Sequence, residues 1–233
     1  AMLVAYAGEK LAATIGFHTV TMMHLVVVIG GLVLLAMALL AMGRTLIFVP
    51  LAALLMLTLG GWEKLGDATH GRLTRSFFGV YRVADYGGKF RYLVHGTTAH
   101  GMQQLNPARA LEPTTYYAPQ SGIGLAMTAA PALFGPQARI SVVGLGAGTL
   151  ACYRKPGQDW RFYEIDPAIA EIARDSTRFT FLSRCAPDVP ILIGDARLVL
   201  ARQPKGARDL LAVDAFSSDS VPMHLLTREA FAV

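Results

Sequence analysis

The amino-acid sequence reads as an α/β protein: a parallel, Rossmann-like sheet preceded by a small antiparallel β hairpin and by transmembrane helices. Three observations support this. No Asp, Glu, Lys or Arg occurs from Leu11 to Gly43. The segment 77–95, FFGVYRVADYGGKFRYLVH, sets two runs of β-branched and aromatic residues around a Gly-Gly turn signal. From Arg139 onward, short apolar strands alternate with helical segments, and that alternation implies a parallel sheet covered on both faces.

The apolar region comes first. Of 233 residues, 53% are hydrophobic and 16% charged, and the mean hydropathy of +0.42 is high for a water-soluble domain. Residues 1–62 are expected to form a transmembrane region. A first span is expected over 19–42, long enough to cross roughly 30 Å of hydrocarbon, and a second over 45–62, ending at Trp62. Lys64, Arg72, Arg75, Arg82, Lys89 and Arg91 follow, whereas only Arg44 separates the spans. By the positive-inside rule the rest of the chain is expected on the cytoplasmic side of the cell (inner) membrane, with membrane lipid as a partner. The net charge of +5 is modest and dispersed, which argues against a nucleic-acid binder. Cys152 and Cys185 have no metal-ligand neighbours, so neither a disulfide nor a zinc site is expected, and the compartment is expected to be reducing.

Residues 63–105 read as a linker and a small β domain, and residues 106–233 as the nucleoside-binding domain. A Pro- and Thr-rich loop to about residue 120 leads into a helix over 122–133. Strands are expected at 139–143, 160–165, 191–193 and 210–213, with helices beginning near Thr149, Pro167, Ala196 and His224. Sheets of this type have about seven strands. Only four are visible, so a homo-oligomer or a second chain is expected to complete the sheet.

Ligands of parallel sheets bind at the carboxyl ends of the strands. Those ends carry Gly144, Gly146 and Gly148, then Glu164, then Asp195, then Asp214 with Asp219 beyond it. Glycines allow a tight turn that brings backbone N–H groups to a ligand. An acid after the second strand accepts hydrogen bonds from both ribose hydroxyls. A dinucleotide motif would need a third glycine at 149, where the chain has Thr149; the spacing instead suits the S-adenosylmethionine sites of class I methyltransferase-type sheets. Helix capping by Asp195, and turn formation by Asp214 and Asp219, are the structural alternatives.

From about Arg75 onward the chain resembles the spermidine synthases, or polyamine aminopropyltransferases, and in particular their membrane-fused subgroup. The resemblance rests on FYEIDP, IGDA, VDAFSSDSVPMHLLTREAF, HGTTAHGMQ and EPTTYY. It implies that decarboxylated S-adenosylmethionine is the co-substrate, a polyamine the acceptor, and that no metal is used. Glu164 would hold the ribose, Asp195 with Ala196 the adenine, and Asp214 would take the proton of the attacking amine. Gln103, Tyr116, Tyr117 and Asp219 would line the amine site. The chain departs from the family's pattern at Ala147, where soluble members carry an aspartate, and after Tyr117, where Ala118 and Pro119 replace a His-Glu pair. Methyl transfer from S-adenosylmethionine explains the glycine turn, Glu164 and Asp195 equally well, and a non-catalytic nucleoside-sensing membrane protein is the third reading.

Overall fold

A computed structural model of the chain describes residues 17–57, 61–216 and 221–232, with side chains described throughout these except at 17–24, 26, 63 and 64. Contacts divide the chain after Arg72 into two units.

The first unit is helical. Helix α1 (Phe17–Leu40) contains no charged residue, and α2 (Thr45–Met56) packs against it. Ala38 and Ala41 are buried, whereas Leu32, Leu39 and Leu40 are exposed. Among the described residues no helix is long and apolar enough to cross a membrane. Residues 58–60 of the expected second span lie outside the described residues. Helix α2 has 12 residues and rises about 18 Å, and a separate helix, α3 (Trp62–Thr69), starts at the tryptophan meant to end the span.

The second unit opens with an antiparallel sheet in the order β1 (Leu73–Arg75), β2 (Val80–Tyr86), β3 (Phe90–His95), β4 (Thr98–Gln104). The expected hairpin is its centre: Gly87 and Gly88 both have φ near +60°, as a two-residue turn matching strand twist requires. Leu93 pairs with Gly101 and Val94 with Ala99, which leaves His100 as an extra residue in β4. This bulge turns the strand where it meets the second sheet.

The parallel sheet runs β7 (Ile191–Ile193), β6 (Asp159–Glu164), β5 (Arg139–Val143), β8 (Leu210–Val213). Alternation along its strands divides the packing between two faces. Ile140, Val142, Trp160 and Phe162 join one large core with Leu93 of the antiparallel sheet and Met127 of α4 (Gly122–Phe134). Val143 and Tyr163 face the other side, with Ala196 of α7 (Ala196–Leu200). The two sheets share this core, within the unit that begins at Leu73.

Asp166 N-caps α5 (Pro167–Arg174), accepting from the Ala168 N–H, with Pro167 at the first helical position. The segment after the glycine turn is a 3-10 turn, Thr149–Tyr153, and Cys152 within it is disulfide-bonded to Cys185, the last residue of α6 (Phe181–Cys185). This corrects the expectation of two unpaired cysteines. The pair is 33 residues apart in sequence, but the chain returns through β6, α5 and α6 until the Cα atoms lie 4.9 Å apart. The cysteines therefore carry no argument for a reducing compartment.

Candidate functional site

A cavity of about 280 Å³ opens where the carboxyl ends of the parallel strands meet the antiparallel sheet, entirely within the second unit. Gly144, Gly146, Glu164, Asp195, Ala196 and Asp214 all line it. Residues from four strand ends thus converge on one space, as parallel topology requires when consecutive strands end on the same edge.

The glycine turn is built by close approach. Gly144 (φ +97°) lies against the Asp214 backbone, and Gly146 (φ +54°) against the His100 carbonyl, at distances that leave no room for a Cβ. Gly148 is left-handed too, but it faces the Leu182 side chain and does not line the cavity. Ala147 is 1% exposed, and it lies so close to the β4 bulge that a Cβ on Gly101 would overlap the Ala147 side chain.

Glu164 is 8% exposed and accepts hydrogen bonds from the Leu145 N–H at 3.0 Å and the Asp166 N–H at 2.9 Å. Burial raises its pKa, and those backbone donors oppose the rise. The cap of α5 is Asp166, so Glu164 is not needed there. It fixes the glycine turn to the end of β6 and presents its carboxylate to the cavity. Asp195 caps α7 through Oδ1, which accepts from the Leu198 N–H at 3.2 Å, and its Oδ2 lies 3.1 Å from His224 Nε2. Capping and ligand contact are compatible at this residue.

Asp214 follows β8 and continues its pairing by donating its N–H to the Val143 carbonyl at 2.8 Å. Burial pushes its carboxyl up to about 6, although the Tyr117 hydroxyl, donating to Oδ2 at 2.6 Å, pulls the other way. Tyr117 is itself buried and its backbone carbonyl accepts from the Tyr153 hydroxyl at 2.6 Å; burial and the facing Asp214 raise its phenol. Tyr116 is half exposed and lies against Tyr117, with ring centroids 4.3 Å apart. Both tyrosines line the cavity, and Gln103 does not. It is 4% exposed, and its amide bonds the Ala110 carbonyl, the Thr180 hydroxyl and the Thr180 N–H, tying β4 to the start of α6. Asp219 lies outside the described residues. Among those residues no group of three or more His, Cys, Asp or Glu side chains is arranged to hold a metal ion.

The wall from the antiparallel sheet was not anticipated from sequence. Tyr81 and His95 face each other across β2 and β3 with ring centroids 4.9 Å apart, and His100, the bulge residue, lies 5.7 Å from His95. Burial, together with the Asp166 carboxylate that its hydroxyl bonds, raises the Tyr81 phenol, and Ser76 donates to the same carboxylate. Pro222, His224 and Leu225 add a third side to the cavity. Nothing in the spacing of these residues distinguishes them from core or loop. Only the His100-Gly101 pair within an otherwise regular strand signals a bulge.

The site brings together three carboxylates, a tyrosine donor and a glycine turn. That combination can bind a polar sugar, hold a cation and accept a proton. No family model matches the chain. It is 35% identical over 109 residues, 44% of its length, to a polyamine aminopropyltransferase of Vibrio vulnificus (strain CMCP6); the match spans 35% of that relative, about a third of its length. The crystal structure of a probable spermidine synthase from Corynebacterium glutamicum ATCC 13032 superposes with a TM-score of 0.55 at 22% identity, covering 68% of this chain and 57% of that one. At that identity the likeness establishes a shared fold: an α/β domain with a parallel sheet.

Proposed function

We propose that the chain carries an aminopropyltransferase of the spermidine synthase type, which alkylates an amine with the aminopropyl group of decarboxylated S-adenosylmethionine. The observation that carries this reading is Asp214. It is a half-buried carboxylate, raised to about 6 and oriented by Tyr117, in the same cavity as Glu164 and Asp195. The partial likeness to a polyamine aminopropyltransferase supports it.

The sulfonium donor supplies a carbon already activated for attack. The acceptor does not come ready: an alkyl amine with a pKa near 10.4 is protonated at neutral pH. Asp214 first attracts the ammonium, whose charge lowers the carboxylate's pKa again, and then takes the proton as the nitrogen lone pair forms the N–C bond. The C–S bond breaks with its electron pair going to sulfur, leaving a neutral thioether and a secondary amine. Tyr117 holds the Asp214 carboxylate in one orientation throughout. Glu164 anchors the ribose, and that anchoring turns a bimolecular encounter into an aligned displacement.

Ala147 favours a second reading in one respect. A donor amino group finds no acid at this position, and methyl transfer from S-adenosylmethionine needs none at the reacting carbon. The two readings separate on affinity: an aminopropyltransferase prefers 5′-methylthioadenosine, a methyltransferase S-adenosylhomocysteine.

We extend the proposal to the surroundings. The uncharged α1, with apolar side chains exposed along its described length, supports membrane association through the first unit. The basic residues from Arg72 to Arg91 support a cytoplasmic second unit at the inner membrane, and the Cys152–Cys185 disulfide is the opposing observation. Thiol trapping of Cys152 and Cys185 in intact cells decides between them. The open edge of β8, with Leu211 exposed, supports pairing with a further strand.

The test is mass spectrometry of products after the purified chain meets decarboxylated S-adenosylmethionine and a panel of polyamines, with Asp214→Asn in parallel. Aminopropylated product from the parent alone is expected. Equal product from both, or methylated product from S-adenosylmethionine, would overturn the reading.

A further inference from the structure

We infer that His224 is a positioning residue for nucleobase recognition: by holding the Asp195 carboxylate it selects a base with an exocyclic amine over one with a carbonyl at the same place. The inference rests on the nucleoside reading above and deepens it.

The geometry is local. Asp195 is held at both oxygens, Oδ1 by the Leu198 N–H at 3.2 Å and Oδ2 by His224 Nε2 at 3.1 Å. The imidazole donates there either as its Nε2–H tautomer or as imidazolium. His224 is held in turn through its backbone, whose carbonyl accepts from Arg197 Nη1 at 3.5 Å, and its neighbour Leu225 packs with Ala196. The 3-10 turn Met223–Leu225 is thereby fixed to the first turn of α7 on both sides of the carboxylate.

A carboxylate bound at one oxygen swings about its Cβ–Cγ bond, because that torsion is broad. Bound at both, it has a fixed plane, and each oxygen keeps one lone pair for a ligand. The cavity it lines also carries the apolar Ile165, Ala196, Pro222 and Leu225. Apolar residues with one fixed acceptor among them suit a flat heterocycle that donates from an exocyclic amine. A carbonyl in that position would face a carboxylate oxygen without a proton between them, and rejection on such an unpaired contact is strong. His224 supplies the second tether, so the selectivity, more than the packing, depends on it.

The experiment is equilibrium binding of 5′-methylthioadenosine and 5′-methylthioinosine to the full chain, to His224→Ala and to His224→Gln, whose amide can still donate. The parent is expected to prefer the adenosine ligand. His224→Ala is expected to reduce that preference about three- to tenfold, with the loss falling on the adenosine ligand, and His224→Gln to restore most of it. Equal weakening of both ligands in His224→Ala, no change in either, or a parent that binds both equally would overturn the inference while leaving the nucleoside site standing. A parent that binds neither would remove the nucleoside reading and this inference with it.

Discussion

The two walls of the cavity were reached by different physics. On the parallel-sheet side, Gly144, Glu164, Asp195 and Asp214 each follow a strand, and the topology alone puts consecutive strand ends on one edge. On the antiparallel side, Tyr81, His95 and His100 meet through cross-strand register and a bulge. The first wall is a property of element order, the second of pairing between elements. This difference teaches where a sequence can be read for function: residues fixed by position after a strand are visible one segment at a time, whereas residues fixed by register need two segments together.

The comparison is most severely strained by opening the buttress behind the first wall. The Cys152–Cys185 bond closes a loop of 33 residues between the glycine-turn segment and α6. Loop-closure entropy assigns it about 3–4 kcal/mol. Replacing both cysteines by serine is expected to lower thermal stability accordingly and to make it insensitive to reductant. An unchanged melting temperature would show that packing of Leu182 against Gly148 suffices.

Next come paired substitutions, one on each wall. Glu164→Gln keeps the shape but loses the charge that would accept from the ribose hydroxyls, and is expected to weaken 5′-methylthioadenosine about 10- to 100-fold. His100→Ala is expected to leave nucleoside affinity within about twofold while raising the KM for the amine severalfold. Titration calorimetry and steady-state kinetics measure the two, and a His100→Ala loss falling on the nucleoside would dissolve the division of labour between the walls.

Asp214 gives an effect with a definite sign in pH. Its folded pKa of about 6 exceeds the value near 3.9 of an unfolded aspartate, so the folded state binds the extra proton. Stability from this group is complete below about pH 4 and is lost as pH rises to about 6, by about 3 kcal/mol. Asp214→Asn carries no charge to bury, and is expected to gain about 1–3 kcal/mol over the parent at pH 8 and nothing at pH 4. Denaturant melts at the two pH values check this.

The smallest effect concerns Tyr117. Its hydrogen bond lowers the Asp214 pKa against burial, so Tyr117→Phe is expected to move the acid limb of kcat/KM up by less than about one pH unit. A limb that moved down would mean that Tyr117 stabilises the protonated form.

Particular residues show what the sequence could not supply. Glu164 and Asp214 were legible because each ends an apolar strand, and Asp166 as a cap because Pro167 follows it. The four-stranded antiparallel sheet was seen only as its central hairpin, because β1 is three residues long and β4, with its His100-Gly101 pair, has weak strand character. The placement of Gln103 was not legible because the side of β4 it occupies depends on the bulge. It shares the buried side with Gly101 and is spent on Thr180. The cysteine pairing was invisible for the same reason as the second wall: proximity across 33 residues is a tertiary fact.

The central claim is that the acids at three strand ends serve one nucleoside-bearing ligand, with an amine beside it. A crystal structure of the chain with 5′-methylthioadenosine measures this directly. The account predicts both ribose hydroxyls on the Glu164 carboxylate, the base amine on Asp195, and Asp214 facing the thioether sulfur across an open space lined by Tyr116 and His100. A nucleoside seated away from Glu164, or Asp214 turned from the sulfur, would contradict it.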